Sequence, residues 1–326
     1  MFSVIIPTYK GANCLPRALN SVLKQNYDNY EVIVVDDNDP NSSSRAETEK
    51  VMEDYISKYD KVHYIKHEKN KNGSAARNTG LRNSRGEVIA FLDDDDFFLP
   101  GRLEKCAVAF SESDVDIVYS DVLITKDNIP CEYIKAEQEG NLLIELLLNE
   151  NIMGTGSNLC VRKSVIEKCG NFDEVLPRHQ DYEFLLRIFN CGAKALAIKE
   201  CLVIKGMNGV NNGAKYEVLS DVKNMLLEKY SKQIMASKYS NEIYVNQHKE
   251  LLHTAIIWKN RKGITLEKSI LRKYGYNYSI VDTIKEIILL SPFKGVLQSF
   301  VWKRRSKIVI NQNKAVCEKA RNVVGG

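Results

Sequence analysis

FLDDDDFFLP, residues 91–100, sets four consecutive aspartates between a run of apolar residues and an aromatic pair. The apolar run, residues 88–92, has the composition and length of a core strand, and Phe97 and Phe98 follow the aspartates directly. Runs of like charge usually lie on a solvated surface, whereas both flanks of this run favour burial. We therefore predict a turn of carboxylates at the end of a buried strand, with a plain solvated turn as the alternative.

Strand-like and helix-like patterns alternate from the N-terminus to this turn. Four short apolar runs have the character of strands: FSVIIP, EVIVVDD, KVHYIKH and GEVIAFLDD. Segments with apolar residues at helical spacing separate them. This order predicts an α/β fold with a Rossmann-like, mainly parallel sheet flanked by helices on both faces. After residue 205 the spacing is helical only, so we expect a C-terminal helical extension.

Polar side chains follow three of the strands at the point where each strand ends. Thr8 and Tyr9 follow the first strand, Asp36 and Asp37 the second, and the aspartate run the fourth. Because ligands of such sheets bind outside the carboxyl ends of the strands, we expect these loops to converge on one rim. An acidic residue after the second strand commonly accepts hydrogen bonds from a ribose or base, but a helix cap is an equal alternative.

Length and composition are those of an ordinary globular protein of about two domains. The chain has 326 residues, 44% hydrophobic and 27% charged. No run reaches the roughly 18–20 apolar residues of a membrane span, and MFSVIIPTYK lacks a basic leader. The eight cysteines show neither CxxC nor metal-ligand spacing, which indicates reduced thiols. We therefore expect a cytoplasmic protein.

The N-terminal part of the chain is acidic and the C-terminal part is basic. Residues 1–205 contain 25 Lys and Arg against 33 Asp and Glu, whereas residues 206–326 contain 21 against 9. KGMNGVNNGAK, residues 205–215, has the composition of a linker. We expect an α/β ligand-binding domain at 1–205 and a basic, mainly helical region at 206–326 that is attracted to an anionic surface.

One segment of the basic region combines an apolar side with a cationic end. It begins at Ser279 and reads SIVDTIKEIILLSPFKGVLQSFVWKRRSK. Its apolar side consists of Ile280, Ile284, Ile287, Ile288, Val296, Leu297, Phe300 and Val301. Trp302 stands at the edge of this side, and the cations Lys303, Arg304 and Arg305 follow it. This pattern suits a peripheral position on the inner, anionic face of the cell membrane, and a helix packed on the catalytic domain is the equal alternative.

Three motifs carry candidate chemistry. Carboxylates such as those at 93–96 favour the hard cations Mg²⁺ and Mn²⁺. In NGSAARNTG, residues 72–80, a glycine permits close approach of a ligand and Arg77 could reach a phosphate, or the small residues simply pack a helix. In RHQDYEFLLRI, residues 178–188, Asp181 could cap the helix or take a proton from a hydroxyl in a cleft.

Six motifs, in this order along the chain, resemble those of glycosyltransferase family 2, whose members are inverting, nucleotide-sugar-dependent enzymes with the GT-A fold. They are FSVIIPTYK, VIVVDDNDP, NGSAARNTG, FLDDDDFFLPGRLEK, GSNLCVRKSVIEKCGNFDE and RHQDYEFLLRI. The resemblance covers about residues 1–205 and fades beyond them. The members that it resembles are those of the bacterial surface-glycan type.

The resemblance implies a role for each matching residue. Those around the nucleotide sugar would be Pro7, Thr8, Tyr9, Asp36, Asp37, Gly73, Arg77, Asn78, Asp93 and Asp94. Asp95, together with Asp93, would bind Mn²⁺ or Mg²⁺, and Asp181 would be the catalytic base. Those of the acceptor and sugar pocket would be Gly156, Ser157, Asn158, His179 and Gln180.

The resemblance further implies a hexosyltransferase that moves a sugar from a nucleotide-diphosphate donor, most commonly a UDP-sugar, to a hydroxyl of a glycan or lipid-linked saccharide. Other classes remain open. A metal-dependent nucleotidyltransferase would need a glycine- and lysine-rich phosphate loop, which TYKGANCLPR fits poorly. A polyanion-binding protein could use the basic back half, but no nucleic-acid motif is recognisable there, so we expect no nucleic-acid partner. An inactive scaffold is disfavoured because Asp95 and Asp181 are intact.

Overall fold

The computed structural model describes residues 1–207, 214–290 and 294–324, except the side chains of residues 280, 281, 283, 285, 290, 294–300 and 324. These residues form one nine-stranded sheet and fourteen α-helices. The strands are β1 (Phe2–Thr8), β2 (Tyr30–Asp36), β3 (Val62–Lys66), β4 (Val88–Phe91), β5 (Phe97–Phe98), β6 (Ile117–Lys126), β7 (Ile129–Ile134), β8 (Cys160–Arg162) and β9 (Ala195–Met207).

Helices follow most of these strands and make up the C-terminal part of the chain. In the first part they are α1 (Leu15–Leu23), α2 (Ser43–Lys58), α3 (Gly73–Asn83), α4 (Arg102–Glu112), α5 (Leu143–Leu147), α6 (Lys163–Cys169) and α7 (Gln180–Asn190). After β9 they are α8 (Tyr216–Lys229), α9 (Ser231–Ala236), α10 (Ser240–Ile257), α11 (Arg261–Lys273), α12 (Ile280–Leu290), α13 (Lys294–Gln312) and α14 (Lys314–Val324).

The sheet has a parallel half and a mixed half. Its strand order is β3-β2-β1-β4-β8-β6-β9-β5, with β7 paired to β6. Strands β1 to β4 are parallel, as the alternating sequence pattern predicts. Strand β8 lies antiparallel to both β4 and β6, whereas β9 is parallel to β6 and antiparallel to β5. The α/β fold class is therefore confirmed.

Apolar side chains fill both faces of the sheet. Leu15 and Leu19 of α1 pack with Val4 and Ile6 of β1 on one face. Ile5 of the same strand points to the other face and packs with Phe184 of α7. Burial on both faces explains why β1 and β2 read as continuous apolar runs rather than as alternating patterns.

The C-terminal helices pack against the α/β part of the chain. Val222 and Leu226 of α8 join the core that contains α5 and α7. Cys317 and Ala320 of α14 join a separate cluster with Phe97 of β5. The helical character predicted for residues 206–326 is confirmed, although β9 continues to Met207 and residues 208–213 of the expected linker lie outside the described residues.

Two negative findings concern the described residues. They include all eight cysteines, and no disulfide bond joins any of these. No helix in the described ranges has both the length and the apolar content needed to cross a bilayer.

Candidate active site

Three strand ends meet at one edge of the sheet. Thr8 at the end of β1 is in register with Asp36 at the end of β2, and Ile5 of β1 is in register with Phe91 of β4. The main-chain nitrogen of Leu92 donates to the Ile5 carbonyl over 3.0 Å, so the aspartate run starts beside β1. The convergence that the sequence pattern predicts is present.

A cavity of about 240 Å³ lies at this edge. It is lined by Pro7, Thr8, Tyr9, Asp37, Gly73, Ala76, Asp93, Asp94 and Asp95. The hydroxyl of Thr8 donates to Asp94 Oδ2 over 2.6 Å and joins two of the loops. The ring of Tyr9 is about half exposed and is available to stack on a planar ligand.

Asp36 and Asp37 both bond to neighbouring segments that support this cavity, and Asp37 also lines it. Asp36 is fully buried and pairs with Arg45, whose Nε lies 3.0 Å from its Oδ2. Asp37 accepts hydrogen bonds from the main-chain nitrogens of Lys71 and Asn72, which fixes the loop before α3. Neither aspartate caps the next helix. The side chain of Ser42 caps α2, so the capping alternative was wrong.

The fourth aspartate of the run points inward. Asp96 is 1% exposed and accepts hydrogen bonds from Thr155 Oγ1, Ser157 Oγ and the main-chain nitrogen of Gly206. A Cβ at Gly206 would lie 2.2 Å from the Asp95 carbonyl oxygen, so this approach requires glycine. Hydrogen bonds therefore join the aspartate turn to β9 and to the segment before β8.

The remaining aspartates concentrate negative charge at the edge of the cavity. Burial raises the pKa of Asp94 to about 6, and the charge of Asp93 adds to this rise while the hydrogen bond from Thr8 opposes it. Burial, together with the charges of Asp93 and Asp94, likewise raises the pKa of Asp95 to about 6. The turn therefore favours binding of a positive charge, because a cation would relieve this repulsion.

A second, larger cavity of about 540 Å³ adjoins the first, and Asp93 lines both. Its charged and titratable lining residues are Arg77, Asp93, Glu150, Arg178, His179, Asp181, Tyr182 and Lys205. Seven consecutive residues, from Glu150 to Gly156, form one wall. Two cavities that share a carboxylate can hold two substrates whose reacting atoms meet at that point.

Asp181 lies in the first turn of α7 and faces the larger cavity. Its Oδ1 is 3.7 Å from Arg77 Nη1, and Arg77 Nη2 donates to Asp93 Oδ1 over 2.6 Å. The buried guanidinium thus joins the two carboxylates. Asp181 is not the cap residue of α7, because His179 occupies that position in a left-handed conformation with φ of 57°.

The environment of Asp181 raises its pKa above the usual aspartate value. Burial is the main cause, the positive charges of Arg77 and Lys205 oppose it, and the negative charge of Asp93 adds to it. The side chain is nevertheless 38% exposed to the cavity. A reachable carboxylate with a raised pKa has the character of a general base.

The other residues predicted for the acceptor pocket divide into two groups. Gly156, His179 and Gln180 line the larger cavity. Ser157 and Asn158 are fully buried beneath it: Ser157 bonds to Asp96, and Asn158 bonds to the main chain of Ser120. These two hold the wall in place and do not line the cavity.

Two donor-side predictions can be placed in the same way. Gly73 lines the smaller cavity, and a Cβ there would lie 3.1 Å from Arg77 Nη1. Asn78 is buried on α3 and bonds to the Phe172 carbonyl and the Glu174 carboxylate, so it joins α3 to the loop before α7.

Lys205 is a cavity residue that sequence reasoning missed. It lies near the end of β9, and its Nζ donates to the Gly154 carbonyl over 3.1 Å. It lines the larger cavity together with Asp181, and its positive charge opposes the rise in pKa of both Asp95 and Asp181. No local sequence signal marks it, because β9 reaches the site only through its pairing with β6 and β5.

A protein-family model described as glycosyl transferase family 2 matches residues 3–169, just over half of the chain. The chain belongs to this family. The matched region begins in β1 and ends at the last residue of α6, so it includes the aspartate turn. It excludes α7 with Asp181 and all the helices that follow.

One curated relative illustrates the extent of the similarity within the family. A protein of Rickettsia conorii, described as an uncharacterized glycosyltransferase, is 33% identical to this chain over 221 residues. The aligned part is 66% of this chain and 35% of the relative. The chain therefore spans about a third of the length of that protein.

Solved structures share the fold over nearly the whole chain. TarS of Staphylococcus aureus, residues 1–349, has a TM-score of 0.61 at 19% identity and covers 99% of this chain and 87% of its own. TarS has also been solved with UDP and with UDP-GlcNAc. The mannosyltransferase PcManGT of Pyrobaculum calidifontis, solved with GDP-Man and Mn²⁺, has a TM-score of 0.52 at 15% identity and covers 96% of this chain and 87% of its own. The GT-A-like fold is thus confirmed.

Proposed function

We propose that this family 2 member is an inverting hexosyltransferase that moves a sugar from a nucleotide-diphosphate donor to a hydroxyl of a glycan or lipid-linked saccharide. One observation carries the proposal. The two adjoining cavities share Asp93, and the buried guanidinium of Arg77 links Asp93 to Asp181. Family membership favours transfer of a sugar over transfer of a nucleotide and over polyanion binding.

The smaller cavity is the proposed donor site. Tyr9, Thr8 and Asp37 would surround the base and ribose, and Asp93 and Asp94 would face the sugar. The TarS complexes with UDP and UDP-GlcNAc support a uridine nucleotide, although PcManGT binds a guanosine one. Arg77 would lie beside the diphosphate, where its pairing with Asp93 and Asp181 already orients it.

The residues of this cavity fit a hard divalent cation. The donor set is made of carboxylate oxygens, which suit Mn²⁺ and Mg²⁺. Among the described residues no group of three or more His, Cys, Asp and Glu side chains is arranged to hold a metal, but one or two carboxylates suffice when substrate phosphates supply other ligands. We propose Asp95, with Asp93, as these carboxylates. A bound ion would neutralise charge on the departing diphosphate.

Asp181 is the proposed general base. It would take the proton of an acceptor hydroxyl held in the larger cavity. The hydroxyl oxygen would then bond to the anomeric carbon while the bond from that carbon to the diphosphate oxygen breaks. Attack from the face opposite the nucleotide inverts the configuration. Arg77 would hold Asp181 on the acceptor side and Asp93 on the donor side of this reaction.

Screening nucleotide sugars tests the donor assignment. Thermal shift and hydrolysis are measured for UDP-, GDP- and TDP-sugars, with and without Mn²⁺. We expect a stabilisation that grows with ligand concentration, about 2.7 kcal/mol at a hundredfold excess over Kd, for one nucleotide class. Stabilisation by none of these compounds would contradict the proposal, and a shift by free nucleotide monophosphates alone would point to another chemistry.

The C-terminal region is the proposed membrane-facing part, on the cytoplasmic side. Ile284, Ile287 and Ile288 of α12 are exposed, as is Val301 of α13. Lys303 and Arg304, two and three residues after Val301, are also exposed. Apolar side chains beside cations suit an anionic lipid surface, which would bring the enzyme to a lipid-linked acceptor.

Other parts of the predicted membrane face are placed differently. Trp302 packs against the core cluster that contains Cys131, so its expected position at the edge of the apolar face was wrong. Arg305 pairs with Glu132 of β7 over 3.0 Å. The side chains of Ile280, Val296, Leu297 and Phe300 lie outside the described residues. The proposed membrane-facing surface therefore consists of the exposed isoleucines of α12, together with Val301, Lys303 and Arg304 of α13.

Replacing two apolar residues tests this surface. Removing the chain from Ser279 onward would also remove α14, which packs against β5, so point substitutions in the full chain are preferable. Ile284→Glu/Ile287→Glu is expected to lower flotation with phosphatidylglycerol vesicles, because burying a charge in the interface is unfavourable. Ile56→Glu, at a similarly exposed position on α2, is the control. Equal flotation of both variants and the unmodified chain would contradict the proposal that this surface binds a membrane.

A further inference from the structure

The wall of the larger cavity begins at a segment that the C-terminal helices hold. We call residues 148–156 the cavity loop, because residues 150–156 line the cavity in an unbroken run. At its start, Asn149 has a φ of 67°, the left-handed conformation of a residue that ends a helix. Its main-chain nitrogen donates to the Leu146 carbonyl over 2.8 Å, and that of Glu150 donates to the Glu145 carbonyl over 3.1 Å. The side chain of Asn149 is held by α8 and α10, which lie outside the region matched by the family model.

Side chains of α10 bond to the main chain where the loop begins. Asn246 Nδ2 donates to the Leu148 carbonyl over 3.0 Å, and Gln247 Nε2 donates to the Leu147 carbonyl over 2.7 Å. These carbonyls end α5 and have no continuing helix to accept from. Helix α10 thus caps α5 in space although about 100 residues separate them.

A buried lysine on α8 completes the cluster. Lys223 is 1% exposed, and its Nζ donates to Gln247 Oε1 over 2.6 Å and to Asn149 Oδ1 over 3.3 Å. It also pairs with the carboxylate of Glu250, which accepts from Asn149 Nδ2 over 2.7 Å. Both polar atoms of the Asn149 side chain are therefore held by one ion pair.

The same cluster reaches the helix that carries Asp181. The next residue, Tyr182, donates its hydroxyl to the Leu146 carbonyl over 2.8 Å and accepts from Gln247 Nε2 over 3.0 Å. The ring of His179 packs edge-on against Tyr182, with 5.8 Å between ring centroids. Gln247 thus bonds both to the segment before the cavity loop and to the start of α7.

We propose that Lys223, Gln247 and Glu250 are positioning residues that set the shape of the acceptor cavity through Asn149 and Tyr182. Naming this cavity the acceptor site rests on the function proposed above. The consequence is that residues of α8 and α10, beyond the family-matched region, determine which acceptor fits. Lys223, Gln247 and Glu250 bond to Leu147, Asn149 and Tyr182, and none of these lines the donor cavity.

A buried ion pair can instead contribute only to overall stability, and the two roles respond differently to substitution. Removing one partner leaves an unpaired charge, whereas replacing both partners by apolar residues often restores stability. The double variant Lys223→Met/Glu250→Leu cannot restore the hydrogen bonds to Asn149. It therefore separates positioning of the loop from stability.

The test uses the full chain with Lys223→Met, the double variant and a control. Lys268→Met removes the lysine of another ion pair in the C-terminal region, with Glu286, that does not contact the cavity loop. Hydrogen–deuterium exchange of residues 148–156 is compared with the melting temperature and with UDP affinity by calorimetry. Transfer from the donor selected by the nucleotide-sugar screen to octyl β-glucoside gives the KM values of acceptor and donor.

We expect exchange in the cavity loop to be at least about tenfold faster in Lys223→Met and in the double variant, and unchanged in Lys268→Met. UDP affinity and donor KM should stay within about twofold, while acceptor KM rises. Unchanged exchange in Lys223→Met, or exchange that returns to normal in the double variant together with its melting temperature, would overturn the proposal. Failure of the unmodified chain to bind any nucleotide would instead count against the proposed function, since the exchange result does not depend on turnover.

Discussion

Asp181→Asn is expected to lower kcat by about 10²- to 10⁴-fold, the range that a positioned general base typically supplies. Asparagine keeps the size of the side chain but cannot accept the proton of an acceptor hydroxyl. Donor binding should survive, because Asp181 lines the larger cavity and is absent from the lining of the donor cavity. Steady-state transfer and calorimetry with UDP measure the two effects separately.

The pH profile gives a second signature of the same residue. Burial raises the pKa of Asp181 above the usual aspartate value of about 3.9, so the active, ionised form is lost as the pH falls through this raised pKa. The acidic limb of kcat should therefore lie above the usual aspartate range in the unmodified chain and disappear in Asp181→Asn. Asp221→Asn, at an exposed position on α8, is the matched control. Near-normal turnover in Asp181→Asn would show that another group takes the proton.

The parallel half of the sheet could be predicted because its signals are local. Each of β1 to β4 is a short apolar run, and helical patterns separate these runs, which predicts parallel strands. The mixed half carries no comparable signal. Strand β5 has two residues and β8 has three, and such lengths show no periodicity. Their positions depend on long-range pairing with β9, β4 and β6.

The site could be located from the sequence, but the direction of individual side chains could not. The strand ends predict the edge where Thr8, Asp37 and Asp93 meet, because parallel strands place their carboxyl ends together. Whether a polar residue there faces a ligand or the framework depends on packing. Asp96 directly follows the partly exposed Asp93, Asp94 and Asp95, yet it is buried and its carboxylate accepts hydrogen bonds from Thr155, Ser157 and Gly206.

The remaining contacts of the site join segments that are far apart in the sequence, so motifs do not reveal them. Arg77 could be proposed from a motif, whereas its link to both Asp93 and Asp181 joins three separate segments. Lys205 and the buried Lys223 have no motif around them, and each becomes significant only through contacts with residues 149–154. The C-terminal region could therefore be recognised as helical and basic, but its contact with the acceptor cavity could not.

Asp95→Ala is expected to abolish the dependence of UDP binding on Mn²⁺. The carboxylate of Asp95 lines the donor cavity, and burial with the charges of Asp93 and Asp94 raises its pKa to about 6, so a cation there would relieve strong repulsion. Removing residues that merely support a metal ligand costs about 10- to 100-fold in metal affinity, and loss of a ligand should cost at least as much. Calorimetric titration of UDP with Mn²⁺ and with a chelator measures this effect.

The metal-free measurement distinguishes loss of the ion from loss of the cavity. In Asp95→Ala, UDP affinity in the presence of Mn²⁺ should fall to the value that the unmodified chain shows with chelator, and no further. Asp60→Ala, in the exposed turn before β3, should keep the full response to Mn²⁺. If Asp95→Ala keeps that response, the ion is held by other carboxylates of the turn or is not used. If it loses UDP binding even with chelator, the side chain of Asp95 supports the cavity itself.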